Sequence, residues 1–287
     1  MRSEKDIKKL ILDLAADDGR IRVVLLNGSR ANPKIKSDKY QDFDIVFIVS
    51  NLESFTKDHT WTEVVGGKNI WQLPTEMSFG NEKTDCSFTY LMRFSDGNRI
   101  DLTLFPIEKF KTNFVFNSLT ILWLDKDNLF SQTFSPSDRD YYICKPTEKE
   151  FLDTCNEFWW VSTYVAKGLL RSEITYAKEM AETVVRPMLM KVIEWKIGVE
   201  NSFSVSFGQG GKFMRKYLTG DFYKKILYTY SNFDIEENWK SLFVMTDIFQ
   251  QTSNEIAQEL GFQINKNEQH NTVEYLKQQY DEQKNYR

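Results

Sequence analysis

The stretch Leu25–Val49, LLNGSRANPKIKSDKYQDFDIVFIV, sets a Gly-Ser turn ahead of an Asp-x-Asp pair that runs directly into an apolar strand. A run such as IVFIV is composed for burial, yet it opens on two acids, Asp42 and Asp44. Residues two apart on a strand face the same side, so both carboxylates share one face and Phe43 takes the other. Carboxylates paired in this way repel each other unless a divalent cation sits between them. The turn NGSR adds Gly28, with no Cβ to obstruct close approach, the hydroxyl of Ser29, and backbone N–H groups at what would be a helix start, which together are the parts of an anion cradle. Further on, NRIDLTLF places Asp101 before an apolar run in the same manner as Asp44, offering a third acid from a neighbouring strand. Each part has a plainer reading, an ordinary turn for Gly-Ser and a solvated strand edge for Asp-x-Asp. Their combination points to Mg²⁺-assisted attack on a nucleoside triphosphate.

Composition narrows the field. The chain has 287 residues, 41% of them hydrophobic, enough for two domains of ordinary size. A net charge of −4 leaves no basic field to hold a nucleic-acid backbone, so no nucleic-acid partner is expected. The opening MRSEKDIKKLILDLAADDGR is charged and helix-patterned, without the uninterrupted apolar core of a signal peptide, and no window approaches the roughly 18 apolar residues of a membrane span. A cytoplasmic protein with no membrane partner is expected. Cys86, Cys144 and Cys155 are odd in number and far apart, matching neither a disulfide framework nor metal-ligand spacing. The two histidines, His59 and His270, lack metal-ligand or triad partners in sequence, which argues against zinc and histidine acid-base chemistry.

The expected fold is α+β, with a mixed sheet flanked by helices over residues 1–145 and a helical bundle over 146–287. Before that boundary, short runs rich in Val, Ile, Leu, Phe and Tyr alternate with polar turns and a few helical patterns. A first helix is predicted over Ser3–Ala16, with Ser3 as cap and Ile7, Leu10, Ile11 and Leu14 at helical spacing. Strands are predicted at Arg22–Leu26, Phe43–Val49, Ser87–Phe94, Arg99–Pro106 and Leu119–Asp125, with SDGN (Ser95–Asn98) as a tight hairpin turn. After ICKPTEKEF long helical patterns take over, headed by a Thr147/Glu150 capping box. The end, NKNEQHNTVEYLKQQYDEQKNYR, reads as a loosely held helix or tail.

The pattern Gly28-Ser29, Asp42-x-Asp44 and Asp101 resembles the nucleotidyltransferase superfamily of DNA polymerase β and the kanamycin nucleotidyltransferases. More closely, the chain is similar to the aminoglycoside 6-adenylyltransferase family. The likeness runs along nearly the whole length, through GSRAN (Gly28–Asn32), QDFDI (Gln41–Ile45), IDLTL (Ile100–Leu104), LDKD (Leu124–Asp127), CNEFWWVSTYVAKGL (Cys155–Leu169) and KFMRKYL (Lys212–Leu218). It implies transfer of AMP from ATP to the 6-hydroxyl of an aminoglycoside such as streptomycin, with release of pyrophosphate and antibiotic resistance as the result. A nucleotidyltransferase with another hydroxyl acceptor and a non-catalytic ligand-binding relative are the alternatives.

By match of position, Asp42, Asp44 and Asp101 become the catalytic, metal-holding triad, while Gly28, Ser29 and Arg30 face the triphosphate of ATP. Lys167 falls where the kanamycin enzymes carry a phosphate-contacting lysine. Their glutamate base is matched here by Thr163, which passes the base role to Asp101 or Glu157. Glu157 and Trp159 are candidates for binding the cationic acceptor through charge and cation–π contact. Arg30 reads equally as a surface ion pair, Lys167 and Glu157 as solvated helix positions, and Trp159 as core.

Overall fold

Strand β2 (Phe43–Val49) carries apolar residues toward both of its faces because it lies inside a six-stranded sheet. The computed structural model describes residues 1–79, 86–131 and 134–285. The chain divides into two compact units, Met1–Asp140 and Tyr141–Arg287.

In the first unit, β1 (Ile21–Asn27), β2, β3 (Lys68–Gln72), β4 (Phe88–Phe94), β5 (Arg99–Pro106) and β6 (Thr120–Asp125) are ordered β3-β4-β5-β2-β1-β6. The β2–β5 pair is parallel and the other pairs are antiparallel, which makes the sheet mixed. Helix α1 (Glu4–Asp17) starts at the Ser3 cap, whose hydroxyl accepts from the Asp6 N–H while the Asp6 carboxylate accepts from the Ser3 N–H. Its Ile7, Ile11 and Ala15 pack on the face of the sheet formed by Val24, Leu26, Ile45, Phe47 and Leu102. The alternate residues Val23, Leu25, Val46, Ile48 and Phe105 build the opposite face, covered at one end by Phe110, Phe114 and Phe130. Short helices α2 (Glu53–Thr56) and α3 (Phe110–Asn113) complete these layers. The β4–β5 hairpin turns at Ser95–Asn98 as the sequence predicts, with Gly97 at φ +87° and the Phe94 N–H donating to the Asn98 carbonyl at 2.9 Å.

The second unit consists of α4 (Glu148–Leu170), α5 (Ile174–Met180), α6 (Arg186–Glu200), α7 (Gly220–Leu227), α8 (Ile235–Leu260) and α9 (Lys266–Asn285), with a π-helical turn at Ala181–Val185 joining α5 to α6. The Thr147/Glu150 capping box forms. At Gly168 an added Cβ would lie 2.9 Å from the Ala177 Cβ, so only glycine lets α4 and α5 cross this closely. The chain end differs from the loosely held segment expected of it. Helix α9 is anchored because Leu276 is fully buried and the Gln283 side chain accepts from the Trp239 indole at 2.8 Å while donating to the Leu169 carbonyl at 3.0 Å. Among the described residues no helix is long and apolar enough to cross a membrane.

The centre of this helical core is a face-to-face stack of Phe158 on Phe249, with ring centroids 3.7 Å apart and planes at 6°. Both rings are completely buried. Phe249→Ala is expected to cost about 3–5 kcal/mol, read as a lower urea midpoint for the helical unit. A midpoint unchanged from the parent would show that this stack is not central to the core.

Candidate active site

The parallel register of β2 and β5 sets Asp44 directly opposite Asp101. The same level can be followed across the whole sheet. Thr120 on β6 pairs with Asn27, Asn27 with Asp44, Asp44 with Asp101, Asp101 with Leu91 on β4, and Leu91 with Gln72 on β3. All six side chains therefore share one face, the face opposite α1. Beyond this row, β2 and β5 continue as apolar pairs such as Ile45 with Leu102 and Phe47 with Leu104. The acids thus sit where the buried part of the sheet begins.

Gly28 follows Asn27 in a single 3₁₀ turn, Gly28–Ala31. Its φ is +72°, and a Cβ placed there would fall 2.1 Å from Oδ2 of Asp44. Glycine is needed twice over, for the left-handed backbone and for the space that the Asp44 carboxylate fills. The Gly28 N–H donates to the Leu119 carbonyl at 3.1 Å, which ties the turn to the start of β6. Ser29 is half-buried beside it.

Arg99 is the member of this constellation that sequence reasoning missed. It lies two positions before Asp101 on β5 and so shares its face. Its Nε and Nη2 donate to the two Asp101 oxygens at 2.8 and 2.7 Å, and its Nη1 stands 3.4 Å from Oδ2 of Asp42. One guanidinium therefore bridges two of the three acids in a forked, charge-assisted pairing. Burial pushes the Asp42 carboxyl above its usual range, and the Asp101 charge adds to that while Arg99 opposes it. Among the described residues no three His, Cys, Asp or Glu side chains close on one point as metal ligands do. The donor set nonetheless has the chemistry a hard divalent cation takes, carboxylate oxygens on adjacent strands, and the missing Cβ of Gly28 leaves the room that the Asp44 oxygen occupies.

A cavity of about 680 Å³ opens on the Asp101 side of the row, lined by Gln72, Leu91, Trp71, Arg93 and Arg99. Strand β3, which forms its outer wall, was not expected from the sequence. KNIWQ is short and largely exposed, so no buried alternation marked it.

The remaining candidates separate. Arg30 is almost fully enclosed, donating to the carbonyls of Gln41 at 2.7 Å and Asp42 at 3.1 Å, pairing with Glu4, and lying 3.9 Å over the Phe43 ring. Its donors brace the loop that carries Asp42, and Glu4 gives it the ion pair that its sequence position also suggested. Trp159 departs from the expectation of a substrate contact. It is 2% exposed and packed edge-on against Phe158 and Phe249, so it belongs to the helical core and is closed to a substrate. Its neighbour Trp160 is the exposed ring, with its indole N–H donating to the Tyr164 hydroxyl at 2.9 Å. Glu157 and Lys167 are exposed on the same stripe of α4 as Trp160 and Tyr164. Within the first unit the structure brings together Gly28, Ser29, Asp42, Asp44 and Asp101; Glu157 and Lys167 belong to the second unit, where they are exposed on α4.

Residues 1–279 match the family model described as streptomycin adenylyltransferase. The chain is 40% identical over 263 residues to the aminoglycoside 6-adenylyltransferase of Bacillus subtilis (strain 168), covering 91% of this chain and 93% of that one. It is also 40% identical over 263 residues to the aminoglycoside 6-adenylyltransferase of Campylobacter jejuni, covering 92% and 91% respectively. The crystal structure of an aminoglycoside 6-adenyltransferase from Bacillus subtilis aligns over 98% of this chain and 99% of its own, at 35% identity and a TM-score of 0.48. With a family model spanning nearly the whole sequence, and curated relatives 40% identical over about nine tenths of both chains, the chain belongs to the streptomycin adenylyltransferase family.

Proposed function

We propose that this protein transfers AMP from ATP to a hydroxyl of streptomycin, at the 6-position, releasing pyrophosphate and inactivating the drug. The observation that carries the reading is the Asp44–Asp101 register pair, with Gly28 fitted against the Asp44 carboxylate. Like charges directly opposite on neighbouring strands are destabilising, and a catalytic cation is the physical reason to keep them.

In this proposal Asp42, Asp44 and Asp101 hold Mg²⁺. Bound there, Mg²⁺ would neutralise phosphate charge and acidify the acceptor hydroxyl. The Gly28-Ser29 turn receives the β- and γ-phosphates, since glycine allows backbone to approach them closely and Ser29 adds a hydroxyl. Asp101 accepts the proton of the attacking hydroxyl, a bond forms between that oxygen and the α-phosphorus, and the bond to the bridging oxygen of pyrophosphate breaks. Arg99, released from Asp101 or Asp42 as the triphosphate and its cation arrive, keeps its charge next to the phosphates. Glu157, exposed on α4, is the competing candidate for the base, and its carboxylate also suits a cationic acceptor.

Incubation with ATP, Mg²⁺ and streptomycin should add one AMP to the drug by mass spectrometry. Streptomycin unchanged under conditions where another hydroxyl compound gains AMP would move the acceptor and keep the chemistry.

Asp42→Asn and Asp44→Asn should each lower turnover by about a hundredfold or more while the protein stays folded. Wild-type turnover in either variant at saturating Mg²⁺ would remove that residue from the cation site. Gly28→Ala should lose turnover to a similar degree, because the new methyl displaces the Asp44 carboxylate. Its left-handed backbone adds a stability loss of about 1–3 kcal/mol in thermal melts. Single-turnover rates separate the two base candidates. Asp101→Asn should abolish the chemical step and Glu157→Gln should leave it near normal, the reverse result assigning the proton to Glu157.

A further inference from the structure

A second cavity, of about 640 Å³, opens at the other end of the carboxylate row, against β6. Phe110, Phe116, Phe130 and Phe134 supply its rings, Ser118, Ser131 and Ser135 part of its polar rim, and Thr120 part of its inner wall. The rings meet edge to face, Phe116 with Phe110 at 5.9 Å and 88°, Phe116 with Phe130 at 5.4 Å and 85°, and Phe130 with Phe134 at 5.3 Å and 68°. Phe116 is 45% exposed, so this cluster presents an open ring as well as a packed one. Its volume falls in the range of small-ligand sites.

Two observations tie this cavity to the row of acids. Thr120, on its wall, donates its hydroxyl hydrogen bond to the Asn27 side chain at 2.8 Å, and Asn27 is the register partner of Asp44. Thr120 therefore lies two strands from Asp44, about 10 Å at the usual strand spacing. The turn at Gly28 is also bonded to Leu119, the residue before Thr120. The phosphate-binding turn and the aromatic cavity are thus neighbours on the same flank of Asp44.

The direction of displacement decides what each flank holds. In-line attack puts the incoming hydroxyl and the departing pyrophosphate on opposite sides of the α-phosphorus. Gly28 and Ser29 lie on the β1 side of Asp44, and Asp101 lies on its β5 side. The acceptor then arrives over Asp101, where the cavity lined by Leu91 and Gln72 stands open, and the nucleoside, joined to the α-phosphorus across the line of attack, is left the cavity beside β6. The group of the donor that suits aromatic rings with a hydroxyl rim is a nucleobase, which stacks by its π-face and satisfies its edge polar atoms at the rim.

We propose that the phenylalanine-lined cavity beside β6 is the nucleobase subsite of the donor, with Phe116 as its stacking platform; this rests on the reading of Gly28-Ser29 as the triphosphate turn. The test compares two ligands in the presence of Mg²⁺, the non-cleavable analogue α,β-methylene-ATP and inorganic triphosphate, by isothermal titration calorimetry. Phe116→Ala should weaken the analogue by about tenfold and leave inorganic triphosphate unchanged, and Phe116→Tyr should restore analogue binding. Analogue affinity unchanged in Phe116→Ala, with triphosphate still bound by the wild-type protein, overturns the nucleobase subsite alone. Absence of binding of both ligands by the wild-type protein overturns the triphosphate turn and this subsite with it.

Discussion

The pairing of Asp44 with Asp101 across a parallel ladder is the constraint on which the first unit turns. Two carboxylates side by side at the edge of a buried sheet are an electrostatic cost that an apolar pair would avoid. The surroundings are arranged around that cost. Arg99 forks onto Asp101 and reaches Asp42, Gly28 leaves the space that the Asp44 carboxylate fills, and Arg30 braces the loop that delivers Asp42. Each of these residues serves the acids without being one of them. The apolar remainder of β2 and β5 supplies the rigidity, since a one-residue slip in their register would turn one of the two acids onto the face that α1 covers and part the pair.

The helical unit is built on another principle. Its core is aromatic, and the stack of Phe158 on Phe249 fixes which stripe of α4 is turned inward. Trp159 goes with that stripe, and Glu157, Trp160 and Lys167 are left exposed, with Tyr164 half-buried between them. Tight crossing of α4 and α5 at Gly168 sets how the exposed stripe is presented. A helix can display polar chemistry on one side only when the other side is anchored in this way.

Much of this was legible in local sequence. The Ser3 cap, the Thr147 capping box, the SDGN turn and the Asp-x-Asp strand are short-range signals whose physics is complete within a few residues, and each forms where the sequence places it. Asp101 was legible by analogy, because it stands before its apolar run as Asp44 does. Arg99 carried a usable signal that was passed over, since any charged residue two before a site acid on a strand shares its face. Trp159 and Trp160 could not be assigned by composition alone. Adjacent helix positions diverge by about 100°, and only the partners of the helix decide which ring is buried. Strand β3, exposed along most of its length, and the two cavities flanking the acids arise from pairing across the sheet, which no window of sequence contains.

The central claim is that Asp42, Asp44 and Asp101 form a cation site, with Arg99 as the charge that balances them in the free protein. Titration of Mn²⁺ in the presence of inorganic triphosphate, followed by electron paramagnetic resonance, tests it directly. The wild-type protein should immobilise Mn²⁺, and Asp44→Asn should weaken that binding by about tenfold or more. Equal Mn²⁺ affinity in the two proteins would contradict the account, because the acid that Gly28 is shaped to hold would then have no cation to serve.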